Sequence, residues 1–264
     1  MRAERLRTAA LACVLAVAGC AGSAASPPGT SSAAEAGDGA TLSQTPEAEE
    51  TLETDSPGES AQADQPDATE ADRVAGVLSR EVPEVGDATF VTVAGSTASP
   101  DPQARVTEVA VQVEGGLAVD ATAFADFVLD TLNDPRSWAA DGRSFARVDD
   151  ASRADVTVVL ASPQTSADMC RPLVTAGRLS CRTGRRAVLT YYRWVNGQDD
   201  YGTDLTGYRH YVVNHEVGHF LGHGHKFCPG PGQLAPVMMQ QTKGLQECLP
   251  NPWPYPDNPA PTAG

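Results

Sequence analysis

The sequence predicts an α+β fold with an α/β-like alternation of strands and helices, in one domain of residues 73–264. Three patterns lead to this prediction. Val109, Val111 and Val113 alternate with other side chains, which is the period of a strand. Residues 121–132 and 205–221 instead place apolar side chains three and four positions apart, which is the period of a helix. Roughly 190 residues are enough to bury one hydrophobic core.

The remaining elements are predicted in chain order after the first strand. Asp120 can cap a helix from Ala121 to about Leu132, and the Asp134-Pro135 pair ends it. Further strands are expected at Ser144–Val148, Val156–Ala161 and Ala187–Trp194. The last helix, from about Leu205 to Leu221, carries apolar or aromatic residues on two stripes. We therefore expect it to be buried on most sides.

All five histidines lie between His210 and His225, and the run from His215 to His225 reads H-E-x-x-H-x-x-G-x-x-H. On a helix, residues four apart share a face, so His215 and His219 can bind one metal ion. Glu216 is offset from that face, but its longer side chain can reach a water on the metal. This position suits a general base better than a ligand.

The third ligand is predicted to be His225. Gly222 can adopt the left-handed conformation that ends a helix, so the chain can turn back and present His225. His223 is the competitor, but on a continued helix it would lie about 12 Å along the axis from His215. If the helix ends at Gly222 this argument weakens, and the motif spacing favours His225. His210 is interpreted as a surface or packing residue. Three imidazoles would leave the fourth position of one catalytic zinc ion open.

The extended motif resembles that of the metzincin clan of zinc peptidases, which also have a methionine turn beneath the metal. Ala235-Pro236-Val237-Met238-Met239 meets this requirement, with Met238 as the predicted turn residue. The stretch from Tyr208 to Pro254 is also similar to an uncharacterised family of actinobacterial lipoproteins or secreted proteins. That similarity extends over most of residues 86–254 and implies no substrate.

The metzincin resemblance implies a twisted mixed sheet with a backing helix, a buried active-site helix and a small irregular C-terminal subdomain. It implies a zinc metalloendopeptidase in which Glu216 activates a water on the metal. Substrate would pair with an edge strand, and the cysteine loop between Met169 and Arg186 is the candidate rim. One feature departs from some clan members: glutamines occupy positions 240 and 241, where those enzymes have a tyrosine.

The N-terminus predicts export. Arginines precede an apolar run from Ala9 to Gly19, which is too short to span a bilayer and is typical of a signal peptide, residues 1–19. Leu15–Cys20 resembles a bacterial lipobox, so Cys20 is the predicted lipidation site; an ordinary signal peptide is the alternative. Residues 20–72 contain twelve acidic and no basic residues, which predicts a disordered tether. The protein would then be anchored at the outer face of the cell membrane.

The formal net charge of −15 is concentrated in that tether, which carries −12 of it. A nucleic-acid partner is therefore not expected, because it would require a basic face on the domain. One cluster of five arginines is an exception to the acidic character of the chain. We interpret it as a solvated loop, with a site for an anionic envelope polymer or acidic substrate as the alternative; its members are Arg171, Arg178, Arg182, Arg185 and Arg186.

Six cysteines become four in the mature domain once Cys13 falls in the signal peptide and Cys20 is lipidated. Four cysteines in an exported domain predict two disulfides. Among three possible connectivities, the local pairs Cys170–Cys181 and Cys228–Cys248 are favoured. The second pair would close a loop that contains Met238. Zinc ligation by these cysteines is the alternative, although the chain has no C-x-x-C pair.

Three functions fit the sequence. The first is a zinc metalloendopeptidase that cleaves a peptide or protein substrate outside the membrane. The second is a non-catalytic envelope interaction module whose zinc is structural, although such a site would not require Glu216. The third is a zinc hydrolase of cell-wall peptides, which shares the chemistry of the first and differs in substrate. The oligomeric state is not indicated by any pattern.

Overall fold

The computed structural model describes residues 67–259, which form a mixed α/β fold around a six-stranded mixed sheet. The strands are β1 (Phe90–Thr92), β2 (Arg105–Glu114), β3 (Arg143–Arg147), β4 (Val156–Ala161), β5 (Cys181–Thr183) and β6 (Arg186–Thr190). The α-helices are α1 (Glu70–Val74), α2 (Ala121–Asn133), α3 (Pro163–Met169), α4 (Tyr191–Asn196) and α5 (Leu205–Phe220). Short 3-10 turns cover Trp138–Asp141, Asp199–Tyr201 and Gln241–Lys243.

The sheet has a parallel centre and antiparallel ends. Its strands follow the order β1-β2-β4-β6-β5, in which β2, β4 and β6 are parallel. β1 is antiparallel to β2, and β5 is antiparallel to β6. β3 runs parallel to the first half of β2 and β1 pairs with its second half, so both lie on the edge of β2 opposite β4. β5 is therefore the terminal strand on the side of β6.

Helices α2 and α5 cover one face of the sheet and bury the main core against it. Alternate residues of β2, β4 and β6 enter this core, including Val111, Val158 and Leu189. The rings of Phe124 and Phe127, from α2, both make edge contacts with Trp194. Tyrosines of α5 join the same core. The predicted helix at 121–132 and the predicted buried helix from Leu205 thus form the layer that carries the histidines.

The last predicted strand is shorter in the structure than the sequence pattern indicated. The strand predicted over Ala187–Trp194 ends at Thr190, and Tyr191–Asn196 forms α4. Tyr191, Trp194 and Val195 are buried at helical spacing, and this period outweighs the strand preference of aromatic and β-branched residues. β1, β5, α1 and α3 were not predicted, since each has only three to seven residues.

The folded domain also begins before the predicted boundary at residue 73. Thr69 and Asp72 form a capping box at the start of α1, and the Asp72 side chain is fully buried against Arg209 of α5. The predicted signal peptide, the lipidation site Cys20 and the tether up to residue 66 lie outside the described residues. Within residues 67–259, no helix combines the length and the apolar character needed to cross a membrane.

Candidate metal centre

The metal-binding geometry begins with the way α5 starts and stops. Asp204 accepts a hydrogen bond from the backbone N–H of Gly207 and caps the N-terminus. At the other end, the backbone N–H of His223 bonds to the carbonyl of Gly218, and the N–H of Gly222 bonds to the carbonyl of His219. These two bonds are a Schellman motif, and Gly222 at φ +96° supplies its left-handed residue. The chain therefore reverses immediately after α5.

This reversal brings the imidazoles of His215, His219 and His225 together. Nε2 of His219 lies 3.2 Å from Nε2 of His215 and 3.1 Å from Nε2 of His225. The second ring nitrogen of two of them faces a backbone carbonyl: Nδ1 of His215 is 2.9 Å from the oxygen of Val237, and Nδ1 of His219 is 2.9 Å from that of His223. Because a carbonyl only accepts, each Nδ1 carries the proton and each Nε2 keeps its lone pair for a ligand.

The two separations from Nε2 of His219 fit a tetrahedral metal. Zn–N bonds of about 2.0–2.1 Å at tetrahedral angles separate two ligand nitrogens by about 3.3 Å, which is close to the distances between these nitrogens. Burial lowers the pKa of His215 to about 3. Burial, with a contribution from Arg182, also lowers the pKa of His219. Both rings are thus neutral near pH 7, as metal ligation requires.

Glu216 lies beside this cluster in an unusual environment for a carboxylate. Its side chain is buried, and Oε2 has no hydrogen-bond donor among the described residues. Burial raises the pKa of Glu216 to about 8. A buried carboxylate without a donor is unfavourable unless a cation or a reacting group compensates it. The donor set and the unpaired Glu216 therefore fit a divalent cation held by the three imidazoles.

The other two histidines have packing roles. His223 stacks on Trp138, with ring centroids 4.3 Å apart, and does not join the ligand cluster. His210 lies on a different face of α5, where it stacks on Phe127 and its Nδ1 is 2.8 Å from Oγ1 of Thr131. Burial lowers the pKa of His210 to about 4, so this ring is neutral as well.

The two methionines of the predicted turn pack in different directions. Met238 belongs to the main core beneath α5, where its sulfur lies 2.6 Å from the point that a Cβ on Gly218 would occupy. Met239 packs instead with Ala235, Leu245 and Cys248 in a separate cluster. The backbone N–H of Met239 closes the turn on the carbonyl of Pro236. Met238 is thus the methionine whose side chain packs against the histidine-bearing helix, whereas Met239 contacts that helix through its backbone carbonyl, which accepts a hydrogen bond from Tyr211.

Comparison with known proteins assigns the chain to a family. Residues 78–247 match the family described as "Protein of unknown function (DUF3152)". The chain belongs to the DUF3152 family. No curated protein and no solved structure matches the chain. The DUF3152 region contains the whole histidine run and both methionines, whereas α1 and the disulfide residue Cys248 lie outside it.

An open cleft leads to the metal site of this DUF3152 chain. A cavity of about 200 Å³ is lined by His215, Glu216 and His225 on one side and by residues 173–175 and 179–180 on the other. A second cavity of about 350 Å³ adds His219, Cys181 and Arg182 to the lining. The cysteine loop predicted as the rim therefore borders the histidines, and its last residues enter edge strand β5.

Two disulfides hold the walls of the cleft, and they join the two predicted cysteine pairs. Cys170–Cys181 ties the loop of residues 171–180 to the start of β5. Cys228–Cys248 closes the segment that contains both methionines. The cysteine sulfurs are thus engaged with each other and not with a metal. The described part of the segment after α5 contains no α-helix or strand. The Cys228–Cys248 disulfide therefore supplies a restraint on its conformation that regular secondary structure does not provide.

Three residues at the cleft of the DUF3152 domain were not predicted as site residues. Gln240 lines both cavities beside Glu216, and Lys243 lines the smaller one. Arg182, which was part of the predicted basic cluster, lines the larger one. No local spacing could identify Gln240 or Lys243, because their place depends on how the segment after α5 folds back. The sequence showed that Arg182 is charged, but it did not show that this side chain lies at the cleft.

Proposed function

We propose that this chain is a zinc-dependent metalloendopeptidase of the metzincin type, acting at the outer face of the cell membrane. The observation that carries the proposal is the juxtaposition of three Nε2 atoms with the buried Glu216, whose Oε2 has no donor within residues 67–259, at an open cleft. His215, His219 and His225 would hold the metal, and Glu216 would be the general base.

The chemistry is divided between the metal and Glu216. When bound, zinc would polarise the scissile carbonyl and lower the pKa of a water molecule towards about 7. Glu216 accepts the proton of the attacking water and delivers it to the leaving amine nitrogen. Burial raises the pKa of Glu216 to about 8, and the positive charge of a bound cation would favour the carboxylate form, which is the form that accepts a proton. The cavities beside it provide room for the peptide on both sides of the reacting bond.

The terminal strand supports an extended peptide substrate. β5 is paired only with β6 among the described strands, and its residues Cys181 and Arg182 border the cavity over the histidines. A peptide can add to such an edge through main-chain hydrogen bonds. The segment after α5, with Met238 beneath the helix, supports the metzincin comparison. The predicted signal peptide and Cys20 are the basis for the proposed location.

The open cleft favours catalysis over a purely structural zinc site. Structural sites usually complete four protein ligands. Within residues 67–259 the ligand cluster contains three histidines and no fourth His, Cys, Asp or Glu. A non-catalytic envelope module would also have no use for Glu216, which is buried without a donor. A hydrolase of cell-wall peptides uses the same residues, so substrate assays separate it from a general endopeptidase.

The test is Glu216→Gln in the full chain. Loss of the proton acceptor should lower hydrolysis of an unfolded protein substrate by about 10²- to 10⁴-fold, while bound zinc stays at one per chain by metal analysis. The matched control is Glu247→Gln, which removes an exposed carboxylate of the same domain. Parallel assays on wall fragments identify the substrate class. Equal hydrolysis by Glu216→Gln and the parent, at equal zinc content, would exclude this mechanism.

A further inference from the structure

The two lysines of the chain, Lys226 and Lys243, both line one cavity of about 510 Å³ that begins at His225. Lys243 also lines the smaller cavity beside Glu216. Arg182 lines the adjoining cavity beside His219. Cations thus border the histidine cluster in both of these cavities, although the chain as a whole carries a net charge of −15.

These cations are not neutralised by the protein. No ion pair to Lys226, Lys243 or Arg182 occurs in residues 67–259, and the one side-chain hydrogen bond of Arg182 goes to the carbonyl of Gly184. Asp200, whose carboxylate contacts the segment after Lys243, already accepts from the backbone N–H of Leu245 and from Gln198. Glu216 lines two of these three cavities and is the one carboxylate in their linings, and the cavity of about 510 Å³ has none.

The other arginines of the predicted basic cluster are directed elsewhere. Arg171 pairs with Asp168, and Arg178 lies over the ring of Tyr192 and near Glu84. Arg185 donates to the carbonyl of Asp155. Arg185 and Arg186 both line a different cavity, which is bordered by none of the histidines. Arg182 is therefore the member of the cluster whose positive charge is available at the cleft.

We propose that the cleft selects peptides with acidic side chains flanking the scissile bond, through Lys243 on one side of the metal site and Arg182 on the other. This inference rests on the proposed peptidase function and names its substrate class. A peptide fits better than an anionic polymer because β5 offers main-chain pairing and the cavities beside Glu216 are of side-chain size, about 200 and 350 Å³. Cations left without partners and complementary carboxylates favour association and orient the ligand.

The experiment compares matched fluorogenic peptides that carry Glu, Gln or Lys at the residues on either side of the cleaved bond. The full chain, loaded with zinc, should cleave the Glu peptide with a kcat/KM about three- to tenfold higher than the Gln peptide, since these charges are partly exposed. The preference should weaken as salt is raised. Lys243→Glu and Arg182→Glu should each reduce or reverse the ratio of Glu-peptide to Lys-peptide cleavage.

The control variant is Arg186→Glu, which makes the same charge change at an exposed residue that lines a different cavity. It should leave the peptide preference as in the parent. An equal effect of Arg186→Glu and Arg182→Glu would mean that overall charge, and not the cleft, sets the preference, and would overturn the proposal.

A binding measurement separates this inference from the peptidase proposal. Fluorescence anisotropy of the same labelled peptides on zinc-loaded Glu216→Gln should show tighter binding of the Glu peptide. Absence of cleavage of every peptide by the parent would refute the peptidase function, while the binding preference would still be measured. Equal cleavage and equal binding of the Glu and Gln peptides would refute the acidic preference alone. Stronger competition by a polyphosphate than by the Glu peptide would indicate an anionic polymer ligand and also overturn it.

Discussion

Backbone carbonyls set the orientation of two of the three clustered imidazoles in this protein. The carbonyl of Val237, next to Met238, receives Nδ1–H of His215, and the carbonyl of His223 receives Nδ1–H of His219. These partners hold the two rings so that their Nε2 atoms face each other before a metal binds. His223 contributes through its backbone, while its side chain stacks on Trp138. His223 therefore supports the histidine cluster through its carbonyl oxygen, and its imidazole is not part of that cluster.

The distinction between His225 and His223 predicts different metal affinities. His225→Ala removes one of three ligands and should weaken zinc binding by more than about 100-fold, beyond the usual effect of losing a supporting partner. His223→Ala keeps the carbonyl that orients His219 and should change zinc affinity less than about tenfold. Competition with a chromogenic chelator measures both. Comparable losses in the two variants would mean that His223 is a ligand and that the site is arranged differently.

At the scale of elements, the position of α5 depends on close packing beneath it. A Cβ on Gly218 would lie 2.6 Å from Sδ of Met238 and 2.7 Å from Cζ2 of Trp138. One turn earlier on the same face of the helix, Asn214 accepts a hydrogen bond from Ser137 and donates one to the carbonyl of Pro252. The helix is thus fixed between the loop after α2 and the C-terminal segment. This rigidity keeps His215 and His219 in register with His225.

Gly218→Ala is therefore expected to destabilise the domain. The added methyl must displace Met238 and Trp138, and such overpacking typically destabilises by about 1–3 kcal/mol, more than the gain in helix propensity. Gly224→Ala is the control, because a Cβ there meets no atom within 4 Å. Denaturant unfolding of the metal-free full chain measures both changes. An unchanged or increased stability for Gly218→Ala would contradict the close contact with Met238.

The elements differ in how well local sequence predicted them. The helix at 121–132 was predicted within a residue because Asp120 caps it and Pro135 follows it, and both signals are local. The segment after Ala187 was predicted as one strand, but helix α4 begins at Tyr191. Its aromatic residues suit a strand by propensity, whereas their burial against α2 and α5 determines the helix. Local preference was overridden there by tertiary packing.

At the scale of the whole molecule, α1 is joined to the histidine-bearing helix α5 by a buried ion pair. Arg209 of α5 and Asp72 of α1 are both fully buried, and Arg80 also donates to Asp72 at 2.9 Å. Arg209 donates further to the carbonyls of Trp194 and Ala71. Burial by itself would raise the pKa of Asp72, but hydrogen bonds from Arg209, Thr69 and Arg80 lower it to about 2. The domain therefore includes residues before the region matched by the family.

Asp72→Ala should destabilise the domain by about 3–5 kcal/mol, because it leaves Arg209 buried without its carboxylate. Glu70→Ala removes a neighbouring acid whose ion pair with Arg73 is exposed, and should change stability by less than about 1 kcal/mol. The folded pKa of Asp72 is below its unfolded value of 3.8, so its contribution is present above that pH and is lost as pH falls towards about 2. Between pH 7 and pH 2, unfolding curves should show that the difference in the free energy of unfolding between Asp72→Ala and the parent becomes smaller. A constant difference would argue against the ion pair.

The sequence by itself determined the three histidines, Glu216 and the turn at Gly222, because all of them lie within one helix and its C-terminal reversal, where spacing sets geometry. It also predicted both disulfide pairs as local closures. The tertiary structure alone decided that Arg182 and Lys243 border the cleft and that Asp72 joins α5. These contacts connect segments that are distant in the chain. They depend on tertiary packing, which the periodicity of a local sequence does not predict.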